Sequence, residues 1–81
     1  MTPSDEAIAA ALMDMAHRRG RGKTFCPSDT ARALAADWRP LMPDVRRVAG
    51  RLQQEGSLQA SQRGRPVDPQ SASGPIRLSL P

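Results

Sequence analysis

The segment at residues 41–54 constrains the fold of this chain most, because its pattern is that of an amphipathic helix. Pro43 suits the first turn of such a helix, and the carboxylate of Asp44 favours the positive end of the helix dipole. We expect the helix to pack one face on a core and to leave the other exposed. The inward positions recur at helical spacing and are Val45, Val48, Ala49 and Leu52.

The opposite face of this helix carries cations. Arg47, Arg51 and Gln54 follow one another at i, i+4 and i+7, so they should project together, and Arg46 adds a further guanidinium group. Such a face could meet a polyanion. In the alternative interpretation, Arg46 and Arg47 only form ion pairs on a solvated surface. The acids close enough in sequence for that are Asp37, Asp44 and Glu55.

Length and charge limit the classes of function. A chain of 81 residues forms one domain with a small core, so a deep substrate pocket is not expected. Twelve Lys and Arg residues oppose eight acids for a formal net charge of +4, and every cation except Lys23 is an arginine. This excess points to a polyanionic partner. A genome biased toward Arg and Ala codons would produce the same arginine content with no function attached.

Several classes of function lack their residues. No apolar run approaches the roughly 20 residues of a membrane span, and the first residues lack the order of a signal peptide. Cys26 and His17 are the only cysteine and histidine, too few for a disulfide or a metal site. No acid pair and no nucleophile with its base stands out. We expect a cytoplasmic protein that is not an enzyme, has no membrane association and uses no cofactor or metal.

Hydrophobic periodicity and turn residues predict an α+β chain of three helices and two strands. A β-prone stretch at residues 24–26 could add a short third strand. The two strands read as an antiparallel hairpin around a long loop rich in Gly, Pro and Ser. The expected bounds are 4–19, 27–36 and 43–55 for the helices, 57–62 and 75–80 for the strands, and 63–74 for the loop.

The connector after the first helix is basic and ends in Gly22-Lys23-Thr24. A phosphate loop would need a glycine where His17 stands and a strand, not a helix, before it, so we reject a nucleotide site. Lys23 could still touch phosphates from a mobile loop, with a solvated connector as the alternative. Trp38 is expected to seal the corner between helices two and three rather than stack on a base.

The element order of helix, short strand, helix, helix, strand, loop, strand is that of a winged helix-turn-helix. The sequence also contains a series of short motifs: GKT at 22–24, CPS at 26–28, WR at 38–39, LMP at 41–43, GRPVDP at 64–69 and GPIRL at 74–78. In these motifs it resembles a family of small bacterial proteins of unknown function placed among the winged helices. The resemblance covers nearly the whole chain and implies the fold, but it carries no activity.

In winged helices the third helix enters the DNA major groove and the wing reaches the backbone or the minor groove. The resemblance therefore implies that Arg46, Arg47 and Arg51 face bases and phosphates. Asp44 would be repelled by phosphates unless it accepts from a cytosine. Gly50 lowers helix propensity by about 1 kcal/mol relative to alanine, which a close approach of another backbone would explain.

The wing sequence Arg63-Gly64-Arg65-Pro66 matches the core of an AT-hook, in which an extended chain lays two guanidinium groups in a narrow A·T minor groove. The following Val67-Asp68-Pro69 suits a fixed turn instead, with Asp68 holding Arg63 or Arg65 by a charge-assisted bond. The sequence favours the turn.

Two functions fit these observations. The first is a small DNA-binding module, such as a transcriptional regulator, that is a monomer or a weak homodimer. The second is a winged-helix interaction module whose same face contacts an acidic protein or a second copy. RNA recognition would lack the aromatic stacking platform that it commonly uses. The candidate DNA contacts are Arg46, Arg47, Arg51, Arg63, Arg65 and Lys23.

Overall fold

The structure is a computed structural model that describes residues 2–81 and begins with helix α1 at Asp5–Arg19. The Ser4 hydroxyl caps this helix by accepting a hydrogen bond from the Ala7 amide at 3.1 Å. Gly20 ends it with a φ of 84°, a backbone conformation that glycine adopts without steric penalty. Of the two residues that the sequence offers as caps, Thr2 and Ser4, it is therefore Ser4 that caps the helix.

Helix α2 spans Pro27–Leu34, and helix α3 spans Met42–Gln54. The Asp29 carboxylate accepts a hydrogen bond from the Cys26 amide at 3.0 Å, which satisfies a free donor at the start of α2. This helix ends before residue 36, its expected limit, because Ala35 has an extended backbone. A turn of 3₁₀ helix at Arg39–Leu41 leads directly into α3.

Three antiparallel strands form one sheet in the order β2-β1-β3. Strand β1 spans Gln59–Gln62, β2 spans Arg65–Pro66, and β3 spans Arg77–Ser79. Strands β1 and β3 are the two that the sequence predicts, and they pair with Ala60 opposite Leu78. Strand β2 corrects the expectation of a single loop at residues 63–74. Two residues are too few to show an alternating pattern, so periodicity does not predict this strand.

A two-residue turn connects β1 to β2. Its central residues are Arg63 and Gly64, with φ values of 54° and 80°. Positive φ at both positions is the signature of a type I′ turn, whose twist matches that of paired strands. Gln62 and Arg65 pair across the hairpin directly beside this turn.

The expected strand at residues 24–26 is reduced to one bridge. Phe25 pairs with Leu78 of β3 through two backbone hydrogen bonds of 2.9 and 2.8 Å. This bridge fixes the connector between α1 and α2 against the edge of the sheet opposite β2.

After β2 the chain crosses α3 before it returns to form β3. Gln53 of α3 supports this crossing, because its Nε2 donates to the Val67 carbonyl at 2.8 Å while its Oε1 accepts from the Ala60 amide. We call residues 63–75 the wing, and Arg63 to Arg65 the wing tip. The wing is thus attached to α3 along one side instead of projecting as an independent loop.

The core lies between the helices and one face of the sheet. Trp38 is partly buried and packs against the edge of this core, in agreement with the expected packing role. The arrangement is an α+β fold compatible with a winged helix, and within residues 2–81 no helix is long and apolar enough to cross a membrane. The largest fully buried apolar side chains include Ile8, Leu12, Phe25, Val45, Val48, Ile76 and Leu78.

Candidate nucleic-acid interface

The outward side of α3 borders an open groove of about 430 Å³. The structure brings Arg47, Arg51 and Gln54 together there, as their spacing predicts. Asp68 and Gln70 of the wing form the opposite wall. We call this depression the α3 groove.

Gly50 lies at the floor of the α3 groove and is buried. A β-carbon added at Gly50 would meet the Gln70 side chain at 3.6 Å and the Asp68 carboxylate at 3.9 Å. Wing side chains, and not the backbone that the sequence suggested, therefore approach this glycine most closely.

Arg46 does not face the α3 groove. Its guanidinium group donates to three backbone carbonyls of the wing, at 3.3 Å to Pro69, 3.0 Å to Ala72 and 2.8 Å to Gly74. Charged donors form stronger hydrogen bonds than neutral ones, so this side chain fixes the wing to the helix. The expectation that Arg46 reads bases is corrected accordingly, since its donors are used inside the protein.

Arg47 is paired with acids at the start of two helices. It donates to both carboxylate oxygens of Asp5 at 2.8 Å, and its Nη2 lies 3.4 Å from Asp44. The hydrogen bonds from Arg47 lower the pKa of Asp5 below its usual range, and the same bonds raise the pKa of Arg47. The ion-pair interpretation therefore applies to Arg47, with Asp5 as a partner that the sequence did not suggest.

The α3 groove is consequently poor in free positive charge. Arg51 lies 3.7 Å from Glu55, and Asp68 adds an acidic group on the opposite wall. Arg47 is thus paired with Asp5 of α1 and Asp44 of α3, and Arg51 with Glu55, which follows the last residue of α3. Charges compensated in this way attract a polyanion less strongly from a distance.

The wing tip has the opposite character. Arg63 and Arg65 are exposed, and within residues 2–81 neither side chain has a hydrogen bond or an ion pair. The turn at Arg63 and Gly64 bends the segment, which corrects the extended AT-hook conformation. Asp68 does not hold either arginine, because its Oδ1 accepts from the Gln70 amide at 2.9 Å.

Arg77 of β3 is a candidate that the sequence interpretation missed. Its Nε donates to the Thr24 hydroxyl at 2.9 Å, its Nη2 to the Thr24 carbonyl at 3.2 Å, and its Nη1 to the Cys26 sulfur at 2.8 Å. The alternation of residues 76–80 predicts that Arg77 points outward. Its position opposite Ser61 and beside the wing depends on strand pairing.

A comparison with protein families shows which family the chain belongs to. The sequence of residues 5–81 matches the family described as a protein of unknown function, DUF3253. The chain belongs to the DUF3253 family. No curated protein matches it. The family description assigns no activity, so only the geometry of this DUF3253 protein indicates what the site can bind.

Lys23 of this DUF3253 protein lies in the connector between α1 and α2, near Arg21. Both side chains are exposed, and in the described part of the chain neither forms a hydrogen bond or an ion pair. The adjacent Thr24 contacts Arg77, so this connector and β3 lie side by side. Lys23 therefore remains a candidate phosphate contact.

Residues 2–81 contain no group of three or more His, Cys, Asp and Glu side chains that could hold a metal ion. His17 lies with its Nδ1 2.8 Å from the Met13 carbonyl, within the last turn of α1. The chemistry that the DUF3253 site offers is the electrostatic and hydrogen-bonding chemistry of arginine.

Proposed function

We propose that this DUF3253 protein is a small winged-helix module that binds duplex DNA, with the wing tip on the phosphate backbone and α3 beside it in the major groove. The single observation that carries the proposal is the contrast in charge compensation. Arg63 and Arg65 stand exposed at the end of a short hairpin, without an ion-pair partner among residues 2–81, where they can release counterions from DNA.

Helix α3 contributes to the proposal through hydrogen bonding more than through net charge. Gln54 is exposed in the α3 groove and has the amide that suits bidentate contact with adenine. Arg51 is held by Glu55 only at 3.7 Å, which leaves its donors available for a base or a phosphate. Regulation of transcription, a cytoplasmic location and a state of monomer or weak homodimer belong to the same proposal.

The test is a fluorescence-anisotropy titration of labelled random and A·T-rich duplexes between about 50 and 200 mM salt. We expect salt-sensitive binding by the unmodified protein. In the Arg63→Ala/Arg65→Ala variant the slope of log affinity against log salt should fall by about two units, because two phosphate contacts are lost. A fall at A·T-rich duplexes alone would assign the wing tip to the minor groove.

The Arg18→Gln/Arg32→Gln variant is the control, since it removes the same net charge away from the wing. Arg18 is paired with Asp14 in α1, and Arg32 stacks on Trp38. Its affinity should stay close to that of the unmodified protein. Absence of salt-sensitive binding at low salt would refute DNA binding, and equal losses in both variants would refute the wing as the contact.

A second function is supported by the surface around Trp38. The guanidinium groups of Arg32 and Arg39 lie 4.6 and 4.7 Å from the ring centre of this partly buried indole. Trp and Arg are enriched at the centres of protein interfaces. If DNA does not bind, an acidic protein partner is the alternative, and Trp38→Ala should then abolish binding of that partner while Arg63→Ala leaves it unchanged.

A further inference from the structure

The wing encloses a second depression, between its tip and the start of β3, with a volume of about 600 Å³. We call it the wing notch. Among the described residues its lining includes two arginines and no carboxylate, in contrast to that of the α3 groove. The residues that line it are Gln62, Arg63, Ser73, Gly74, Pro75 and Arg77.

Arg77 forms one wall of the wing notch and is fixed there. Its bonds go to the Thr24 hydroxyl, the Thr24 carbonyl and the Cys26 sulfur, none of which is a carboxylate. A guanidinium group has five N–H donors, so two remain available after these three bonds. The side chain is therefore held in one orientation while its charge has no ion-pair partner within residues 2–81.

Arg63 stands at the mouth of the wing notch in an unfavourable backbone conformation. Among residues 2–81 it is the only residue other than glycine with positive φ. Asparagine or glycine is preferred at this turn position, since the left-handed conformation costs other residues about 1–2 kcal/mol. Strain of this kind is concentrated at binding sites, where the side chain that it positions has a use.

The third wall of the wing notch is closed by Gln62. Its Nε2 donates to the Ser73 carbonyl at 2.6 Å and to the Pro75 carbonyl at 3.1 Å. These two carbonyl oxygens are therefore already engaged by a donor, which reduces their repulsion of an incoming anion. The bonds also hold the wing segment rigid on the side facing Arg77.

We infer that the wing notch binds a phosphate group, with Arg77 as the fixed donor and Arg63 as the donor at the mouth. Guanidinium groups match phosphate oxygens with paired, charge-assisted hydrogen bonds, and a site organised before binding loses less entropy when it is occupied. The notch is open, so it admits the phosphate of a DNA backbone as well as that of a small phosphorylated molecule. The DNA source rests on the function proposed above, whereas the site itself does not.

The first experiment is a ¹H–¹⁵N NMR titration with inorganic phosphate, matched against sodium chloride at equal ionic strength. We expect phosphate-specific shifts at the amides of Arg63, Gly64, Gly74 and Arg77. Arg77→Gln should weaken phosphate binding by about tenfold or more, because a charged donor is lost. Arg77→Lys keeps the charge without the fork and should recover binding only in part.

Arg63→Asn provides a variant whose folding is not in question, because asparagine suits the turn. It should also weaken phosphate binding, while the charge-matched Arg32→Gln should leave it unchanged. Shifts that are equal for phosphate and chloride, or that persist in both Arg77→Gln and Arg63→Asn, would overturn the site.

The second experiment repeats the duplex titration with Arg77→Gln, and its results separate the two proposals. A reduced salt slope supports the notch as a site for the DNA backbone. Phosphate binding at the notch without any duplex binding supports the site and assigns it to a small phosphorylated ligand, although DNA binding is then refuted. Duplex binding that is unaffected by Arg77→Gln and by Arg63→Asn refutes the DNA backbone as the ligand of the notch and places the duplex contact elsewhere on the protein.

Discussion

The arginines of α3 and those of the wing tip have opposite surroundings. Arg46 and Arg47 form three and two hydrogen bonds of 3.3 Å or less with the protein itself, whereas Arg63 and Arg65 form none within residues 2–81. Arg46 and Arg47 are adjacent in the sequence, and only Gly64 separates Arg63 from Arg65. Their availability to a ligand is set by what lies nearby in the folded chain.

The acids that neutralise α3 have their own reason to be where they are. Asp5 and Asp44 stand in the first turns of α1 and α3, where a carboxylate stabilises the positive end of the helix dipole. The packing of α1 on α3 brings Asp5 to Arg47. Carboxylates that stabilise the starts of α1 and α3 thus also compensate the positive charge of Arg47 on α3. The arginines of the wing tip have no such carboxylate partner within residues 2–81.

The largest expected effect is that of Arg46→Ala. It should lower the free energy of unfolding by about 2–3 kcal/mol, because the carbonyls of Pro69, Ala72 and Gly74 lose a charged donor. Urea denaturation measures this loss, and amide hydrogen exchange should be faster throughout the wing. Arg46→Lys should be intermediate. A loss of duplex affinity with unchanged stability would make Arg46 a DNA contact and would contradict its role in holding the wing.

Arg63→Asn should raise the free energy of unfolding by about 1 kcal/mol, since asparagine tolerates the positive φ of 54° at this position. Duplex affinity should fall in the same variant. Opposite changes in stability and binding would show that Arg63 serves the ligand and not the fold. Arg65→Gln, outside the turn, should alter stability by less than about 0.5 kcal/mol. A lower free energy of unfolding in Arg63→Asn would show that the backbone conformation of Arg63 is not strained.

Gly50→Ala should raise the free energy of unfolding by about 0.5–1 kcal/mol, because alanine has the higher helix propensity and its β-carbon would meet Gln70 at an ordinary 3.6 Å. Thermal denaturation measures the gain. Gly56→Ala is the matched control and should be destabilising, since Gly56 has a φ of 80°. A loss of stability in Gly50→Ala would mean that the wing cannot adjust at this contact.

The smallest expected effect is that of Asp5→Asn, and it depends on pH. The folded-state pKa of Asp5 is lowered, first of all by the hydrogen bonds from Arg47, so its contribution to stability is present above the unfolded pKa. The variant should therefore be less stable at neutral pH. The difference should disappear as pH falls below the ordinary Asp pKa of about 3.9 and through the lower folded value.

Asp14→Asn is the control for that pH series, because the pair of Asp14 with Arg18 is largely exposed and contributes little to stability. Denaturant midpoints across the pH range give the comparison. Asp5→Asn also frees Arg47, so a gain in duplex affinity would show that the α3 groove contacts DNA. Unchanged affinity would confine binding to the wing.

The sequence by itself determined the elements whose cause is local. Helical spacing of apolar residues, Pro27 at the start of α2 and Gly20 at the end of α1 predict helices close to those observed. Strict alternation at residues 76–80 predicts that Ile76 and Leu78 are buried, as they are. These signals suffice for the α+β fold of three helices and a sheet, because each one depends on neighbours within a turn or a strand.

Only the tertiary structure decided which cations are free. The pair of Arg47 with Asp5 spans 42 positions in the sequence, and the contact of Arg77 with Thr24 spans 53. A long arginine side chain pairs with whichever segment folding brings within its reach. Local hydrophobic periodicity does not predict which segment that is. The use of Arg46 by the wing could not be predicted for the same reason, whereas β2 was missed because its two residues are too few to alternate. Periodicity set the face on which each side chain stands, and packing then set the group that it meets.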